Sequence, residues 1–254
     1  MRVLVCVKRV PAPGARIVLT PDGQQLDTKN LGFATSPHEE CAVEGAVQLA
    51  ADHGGSSTVL AMGPPESEEQ LRYAVSVGVD NAVLVPTDGS DLDPQATAWG
   101  LVGAISELEE RDGRFDLILF GNESADAGGY QVGVRVARAL ERPIVSGIKD
   151  IEMDGDQIVA KREIPSGFEV YRLGLPAVLA VREGLNLPRY PTLPGRLKSR
   201  KAEVGSVEVP IDPGGQHKVG FESPPEQESH TVMLGEGAEA VPAIVEVLET
   251  LGIR

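Results

Sequence analysis

Val3-Leu4-Val5-Cys6-Val7 is an unbroken apolar run, and similar runs recur at Thr58 to Met62, Ala82 to Pro86 and Phe115 to Phe120. Continuous apolar runs of this length mark strands buried on both faces. Between them the period changes. Behind Ser36-Pro37-His38-Glu39, the positions Cys41, Val43, Ala46, Val47 and Leu49 form a helical stripe that Gly54-Gly55 ends. Ser36 suits an N-cap, Pro37 the first helical position and Glu39 the third residue of a capping box. Gly63-Pro64-Pro65 leads into a helix expected over 66–78, and another is expected over 94–109. Strands alternating with helices of about 10–15 residues predict βαβ units with right-handed crossovers. Up to about residue 145 the chain therefore reads as a doubly wound α/β domain with a mostly parallel sheet.

The pattern then changes to strands joined by tight turns over 144–182. Gln157 to Arg162 and Phe168 to Leu173 are expected to pair antiparallel across Pro165-Ser166-Gly167, and Pro176 to Val181 to return as a buried strand. This is a small antiparallel extension of the same domain, taken as 1–204. Residues 205–237 are rich in Pro, Gly, Glu and Ser without periodicity and read as an extended arm or linker. Over 238–254, Val241, Ile244, Val245, Leu248 and Leu251 form an apolar stripe with Pro242 near its start. A lone helix of that length is marginal in water, so it is expected to dock on a partner or on its own domain.

Composition narrows the function. Across 254 residues, 41% hydrophobic content supports a real core, while a formal charge of −15 and 4% aromatics disfavour nucleic acid and anionic membrane surfaces as partners. The two cysteines, Cys6 and Cys41, make neither a zinc site nor a disulfide framework. The N-terminal apolar run is broken by Lys8-Arg9 too soon for a signal peptide, and no stretch approaches the ~20 residues of a membrane helix. A soluble, cytoplasmic protein is expected. His38, His53, His217 and His230 show no metal-ligand spacing, and no nucleophile–base order is present. Trp99 reads as core or interface packing, and Cys6 as a small core residue that also walls a pocket.

The candidate chemistry lies after the strand FDLILF, where GNESADAGGYQVG (Gly121 to Gly133) precedes the helical VRVARAL. Ligands of open α/β sheets bind outside the carboxyl ends of the strands. Gly121 and Gly128-Gly129 allow close backbone approach. Gln131, Val132 and Gly133 would offer amide N–H groups to a phosphate at a helix N-terminus. Asn122, Glu123, Ser124 and Asp126 supply partners for sugar hydroxyls, and Asp126 is equally a turn former. The loop matches neither a Walker A pattern nor G-x-G-x-x-G, so its plainest alternative is a long connection rich in turn formers. Cys6, Ser36 to Glu39 and Met62-Gly63 share the same rim, and together these loops outline a nucleotide pocket.

These segments, VLVCVKRVP, SPHEECAVEGAVQL, AMGPPESEEQLRYAVSVGVD and FDLILFGNESADAGGYQVG, occur in an order that resembles the β subunit of electron transfer flavoproteins. The resemblance continues through KREIPSGFEVYRLGLPAVLAVREGLNLPRYPTLPGRLKSRK. It covers roughly residues 1–202, with NLPRYPTLPGRLKSRK its most specific part. It implies an adenine-nucleotide α-hydrolase-like fold and a heterodimer with an α subunit that carries most of a redox-active FAD. This chain would hold AMP, and the dimer would pass electrons from dehydrogenases to a quinone reductase or a similar acceptor.

Carried onto this chain, the implied nucleotide site comprises Cys6, Ser36, Pro37, His38, Glu39, Met62 and the run Gly121, Asn122, Glu123, Ser124, Ala125, Asp126, Ala127, Gly128, Gly129, Tyr130, Gln131 and Val132. Arg162 and Glu163 match a pair that faces the α subunit near its flavin. A dehydrogenase-recognition loop falls on 189–200, with Arg189, Tyr190, Arg196, Lys198 and Arg200 around the apolar anchor Leu193. Two departures keep the nucleotide open. Val132 and Ala127-Gly128-Gly129-Tyr130 replace polar and Asp-rich positions of AMP-holding members. Asp93-Pro94-Gln95-Ala96-Thr97 with Gln131-Val132-Gly133 is similar to bifurcating members, which hold a second FAD and oxidise NADH, although Pro94 stands where those carry a hydroxyl. A nucleotide-binding enzyme or sensor unrelated to electron transfer is the third alternative. Charge alone makes the run from Arg189 to Lys201 either a solvated basic turn or a docking loop stiffened by Pro191 and Pro194.

Overall fold

The N-terminal apolar run forms β1 (Arg2–Val7), buried from Val3 onward, in a computed structural model that describes residues 1–225 and 231–253. His230 lies outside the described residues. Chain order then gives β2 (Val10–Pro11), β3 (Phe33–Ala34), α1 (Pro37–Asp52), β4 (Ser56–Gly63), α2 (Glu68–Ser76), β5 (Asn81–Pro86), α3 (Pro94–Asp112), β6 (Leu117–Gly121) and α4 (Val132–Ala139). Next come β7 (Ile144–Asp154), β8 (Gln157–Ile164), β9 (Gly167–Gly174), β10 (Ala177–Val181), α5 (Leu193–Lys201), β11 (Val204–Ser206) and α6 (Val241–Thr250). The expected helix over 66–78 is a 3-10 turn, Pro65–Ser67, followed by the shorter α2.

Among the described residues the main sheet has nine strands in the order β11-β5-β4-β1-β6-β10-β7-β8-β9, and β2 pairs with β3 apart from it. From β11 to β7 all neighbours run parallel, and β7-β8-β9 is the expected antiparallel extension. β7 serves both parts: Ile144 to Ile148 pair with β10, and Ile148 to Asp154 pair with β8. Gly147, at φ +77°, sits at the change of partner, where the Arg162 side chain crowds a Cβ position.

Alternate residues of β1 feed two cores. Val3, Val5 and Val7 pack with Ala42, Val43 and Ala46 of α1 and Leu71 and Ala74 of α2. Leu4 and Cys6 pack with Leu101, Ala104 and Ile105 of α3 and Val136 and Ala137 of α4. The chain winds from β1 through β4 to β5 on one side, then returns to place β6 on the other side of β1. The topological switch point therefore lies between β1 and β6, which is where open α/β sheets hold ligands.

The chain divides into two units, Met1–Gly220 and Phe221–Arg254. The first part of the expected arm belongs to the first unit. β11 extends the sheet beside β5, Val207 is buried, and the Asp93 carboxylate that caps α3 also accepts the Gly215 and Gln216 N–H groups at 2.9 Å. In the second unit α6 carries the expected stripe of Val241, Ile244, Val245 and Leu248, none of it buried. No helix among the described residues is long and apolar enough to cross a membrane.

Candidate functional site

β1 and β6 run side by side to the switch point, with Cys6 opposite Phe120. The chain leaves β1 at Lys8 and leaves β6 at Gly121, and the N-terminus of α1 closes over both. Glu39 is the joint. Its carboxylate accepts the Lys8 N–H at 3.1 Å through Oε1 and the Ser36 N–H at 3.2 Å through Oε2. The second bond is one half of the expected capping box. The hydroxyl half is loose and leaves Ser36 Oγ, fully buried, without a hydrogen-bond partner of ordinary geometry. Burial pushes the Glu39 carboxyl up to about 7, against the pull of these hydrogen bonds. Burial, helped by the Glu39 charge, pushes the Cys6 thiol up, so that it stays protonated.

His38 staples three loops. Its Nδ1 accepts the Glu183 N–H at 2.8 Å, which places the ring proton of the neutral tautomer on Nε2, and Nε2 donates to Glu123 Oε1 at 3.1 Å. Glu123 Oε2 is buried and unpartnered. Lys8 Nζ meets Asp126 Oδ2 at 2.6 Å across the switch point. Burial alone would raise the Asp126 carboxyl, but Lys8 and local hydrogen bonds outweigh it and hold it below the usual range.

The β6–α4 loop folds on itself. Asn122 N–H donates to Val181 O at 2.8 Å and Gly128 N–H to Ser124 O at 3.0 Å, and Ala127 N–H donates to Asp126 Oδ1 at 2.8 Å. Gly128 and Tyr130 both take positive φ, +55° and +56°, and turn the chain into α4. A positive φ on a side chain as bulky as tyrosine is strained. The first N–H groups of α4 have no intrahelical acceptor. Gln131 Oε1 accepts from Arg135, whose guanidinium also reaches Gln95 of α3 at 3.3 Å.

Residues 36–38, 123–128, 130 and 183 line an open cleft of about 370 Å³ at this rim. It thus gathers Ser36, Pro37, His38, Glu123, Ser124, Ala125, Asp126, Ala127, Gly128 and Tyr130. Cys6 and Met62 do not line it: Cys6 is buried in the core, and Met62 is tucked against Gly100 of α3. Gly121, packed against Glu39 and His38, falls outside the lining, as do Glu39, Asn122, Gln131 and Val132, while Gly129 approaches Pro94. Sequence reasoning missed Lys8 and Glu183 as site residues. Lys8 is the first charge after β1 and was visible as such; Glu183 is placed by a strand, β10, whose neighbour is known only from the topology.

Comparison with known proteins gives the family. The model of the electron transfer flavoprotein domain matches residues 25–212. "Electron transfer flavoprotein subunit beta" of Bacillus subtilis is 31% identical over 258 residues, covering 98% of each chain. The protein of the same name from Mycobacterium tuberculosis is 34% identical over 208 residues, 80% of this chain and 77% of the relative. "Protein FixA" of Azorhizobium caulinodans is 32% identical over 209 residues, 80% of this chain and 74% of the relative. This chain belongs to the electron transfer flavoprotein β-subunit family.

The flavoprotein subunit carries a second distinctive surface beside the cleft. Residues 183–189 run along α1 in a repeat of three. Glu183 binds His38, Asn186 Nδ2 donates to Cys41 O at 2.9 Å, and Arg189 grips Glu44 through Nε and Nη2, both at 2.7 Å. Burial raises the Glu44 carboxyl, but Arg189 overrides it and the net shift is downward. Beyond this strip the expected recognition loop turns into α5, capped by Thr192 Oγ1 accepting from Gly195 N–H at 3.1 Å. Arg72 of α2 closes the other end of α5 by donating to Ser199 O and Ala202 O at 3.0 Å. Tyr190 and Leu193 stand out at 89% and 71% exposed, with Arg196, Lys198 and Arg200 on the helix behind them. On the hairpin, Arg162 pairs with Glu169 and Tyr171, and Glu163 with Lys149.

Proposed function

We propose that this chain is the β half of a cytoplasmic heterodimer that carries electrons from dehydrogenases to a quinone reductase or a similar acceptor. An α subunit supplies most of the FAD site, which the hairpin bearing Arg162 and Glu163 completes. The flavin supplies the redox chemistry, and the protein's part is to hold, orient and space. This chain holds AMP in the cleft between Ser36–Glu39 and Gly121–Val132.

The observation that carries the reading is the cleft at the switch point of a family member, lined by Ser36, His38, Glu123, Ser124 and Asp126. The first-turn amides of α4, at the end of the same loop, suit a phosphate, and Lys8 is already paired with Asp126. Tyr190 and Leu193 are the dehydrogenase-facing anchors, and α6 docks its apolar stripe on the α subunit.

Co-expression with an α subunit, followed by nucleotide extraction and mass spectrometry, tests this. One FAD and one AMP per dimer are expected. Two FAD and no AMP would overturn the AMP assignment, and material lacking any adenylate or flavin would overturn the whole reading.

A further inference from the structure

We propose that Leu187 is a further apolar anchor of the docking surface, forming with Tyr190 and Leu193 one rigid ridge that enters an apolar groove with an acidic rim on the donor dehydrogenase. This rests on the docking reading above.

The ridge is written in the sequence as a repeat of three: Leu187-Pro188-Arg189, Tyr190-Pro191-Thr192 and Leu193-Pro194-Gly195. Each triplet is an apolar residue, a proline and a residue that fastens the segment to the domain. Arg189 holds the Glu44 carboxylate through its own N–H at 3.2 Å and through Nε and Nη2 at 2.7 Å. Thr192 caps α5, and Gly195 packs on the Ser76 carbonyl at the end of α2, where a Cβ has no room.

A residue that precedes proline is pushed towards extended, polyproline-like backbone. Residues 187–192 form neither helix nor strand, and Thr192 sits at φ −75°, ψ 161°, inside the polyproline II region. That conformation has three residues per turn and rises about 3.1 Å per residue, so positions three apart share a face at intervals of about 9 Å. The exposures follow this period: Leu187, Tyr190 and Leu193 are 90%, 89% and 71% exposed. At 90% exposure Leu187 contributes almost no burial to the fold of its own chain.

Proline-stiffened segments with apolar residues at this pitch dock in apolar, aromatic-lined grooves, and a segment already ordered loses little freedom on binding. Charge selects the rim of the groove. From Gly184 to Ala202 the chain carries Arg189, Arg196, Lys198, Arg200 and Lys201 and no acidic residue, within a total of −15. Arg189 is spent on Glu44, and the four cations of α5 face a partner with carboxylates beside its groove. A second copy of this chain is the poorer occupant, because two copies of charge −15 repel.

Stopped-flow reduction of the reconstituted heterodimer tests the assignment, the probe being a substrate-reduced dehydrogenase that reduces the unaltered heterodimer, varied in concentration. Leu187→Ala is expected to raise the half-saturating concentration about tenfold, with full FAD content and with the effect on half-saturation rather than on the limiting rate. Leu187→Met, unbranched and equally apolar, is expected to restore half-saturation to within about twofold. Pro191→Gly keeps all three anchors and loosens the chain between them, and is expected to weaken docking about threefold. Half-saturation unchanged in Leu187→Ala but raised in Leu193→Ala overturns the ridge and leaves the docking reading intact. No change in either variant overturns both. A lower limiting rate at unchanged half-saturation would place the effect of Leu187 on electron transfer and overturn its role as an anchor. Sedimentation of the heterodimer alone supplies the last arm: self-association that Leu187→Ala dissolves would make the occupant a second copy and overturn the donor groove.

Discussion

Gly121 lies against Glu39: a Cβ built at 121 would stand 2.7 Å from Glu39 Cγ and 3.2 Å from the Glu39 amide nitrogen. The end of β6 and the first turn of α1 thus meet with no room for a side chain. Glu39 cannot yield cheaply, because its two oxygens hold the Lys8 and Ser36 N–H groups. Gly121→Ala must push α1 away from the sheet or expel the carboxylate. Overpacking of this kind costs about 1–3 kcal/mol. Denaturation is expected to show that loss together with reduced AMP retention after purification. Unchanged stability with full AMP content would show that the contact between β6 and α1 is softer than this packing implies.

The same carboxyl gives the chain a pH signature. The folded pKa of Glu39 is raised from 4.5 to about 7, with burial the main cause. Between those values the folded state holds a proton that the unfolded state has released. The stabilisation is therefore complete below about pH 4.5 and is lost as pH rises through about 7, an effect on the order of 3 kcal/mol. Glu40 is also raised, by burial and by Glu183, and contributes with the same sign. Glu44 and Asp126 are lowered and act in the opposite sense, in the more acidic range below their unfolded values. Glu39→Gln keeps the shape and stays neutral. Urea denaturation at pH 5 and pH 8 is expected to show the unaltered chain losing more stability than the variant. Parallel profiles would remove Glu39 as the source.

Local pattern made much of this legible. The run at Val3 to Val7, the Ser36-Pro37 start of α1 and the loop after β6 carry their own signals, and their order brings the loop after β6 beside the start of α1. The strip from Glu183 to Arg189 carries none. Its partners His38, Cys41 and Glu44 are each 145 positions away, so nothing short of the folded topology brings them together. Arg189 illustrates the consequence: read as one charge of a docking loop, it is bound to Glu44, with which it anchors that loop. The helix α5 escaped notice because Pro191 and Pro194 look like breakers, although Pro194 falls in the first turn, where a missing N–H costs no helical bond. β11 is three residues long and becomes a strand through its pairing with β5 alone.

The placement of α5 offers a way to separate the anchor from its platform. A Cβ at Gly195 would overlap the carbonyl oxygen of Ser76, the last residue of α2, and this neighbour is backbone. Gly195→Ala therefore lifts the start of α5 from α2 and displaces Leu193, two residues earlier, without touching the cleft. Leu193→Ala leaves the helix seated and removes only the exposed apolar tip. A central apolar anchor of an interface carries a disproportionate share of its energy, about 1.5–3 kcal/mol for a buried leucine. Both variants of the reconstituted heterodimer are expected to slow flavin reduction by a donor dehydrogenase roughly tenfold or more while keeping full FAD and AMP content. Stopped-flow reduction with nucleotide analysis on the same samples checks both halves. Rates equal to the unaltered dimer in Leu193→Ala would remove the leucine as anchor. A slowed Gly195→Ala beside an unaffected Leu193→Ala would move the contact to the basic face of α5, at Arg196, Lys198 and Arg200.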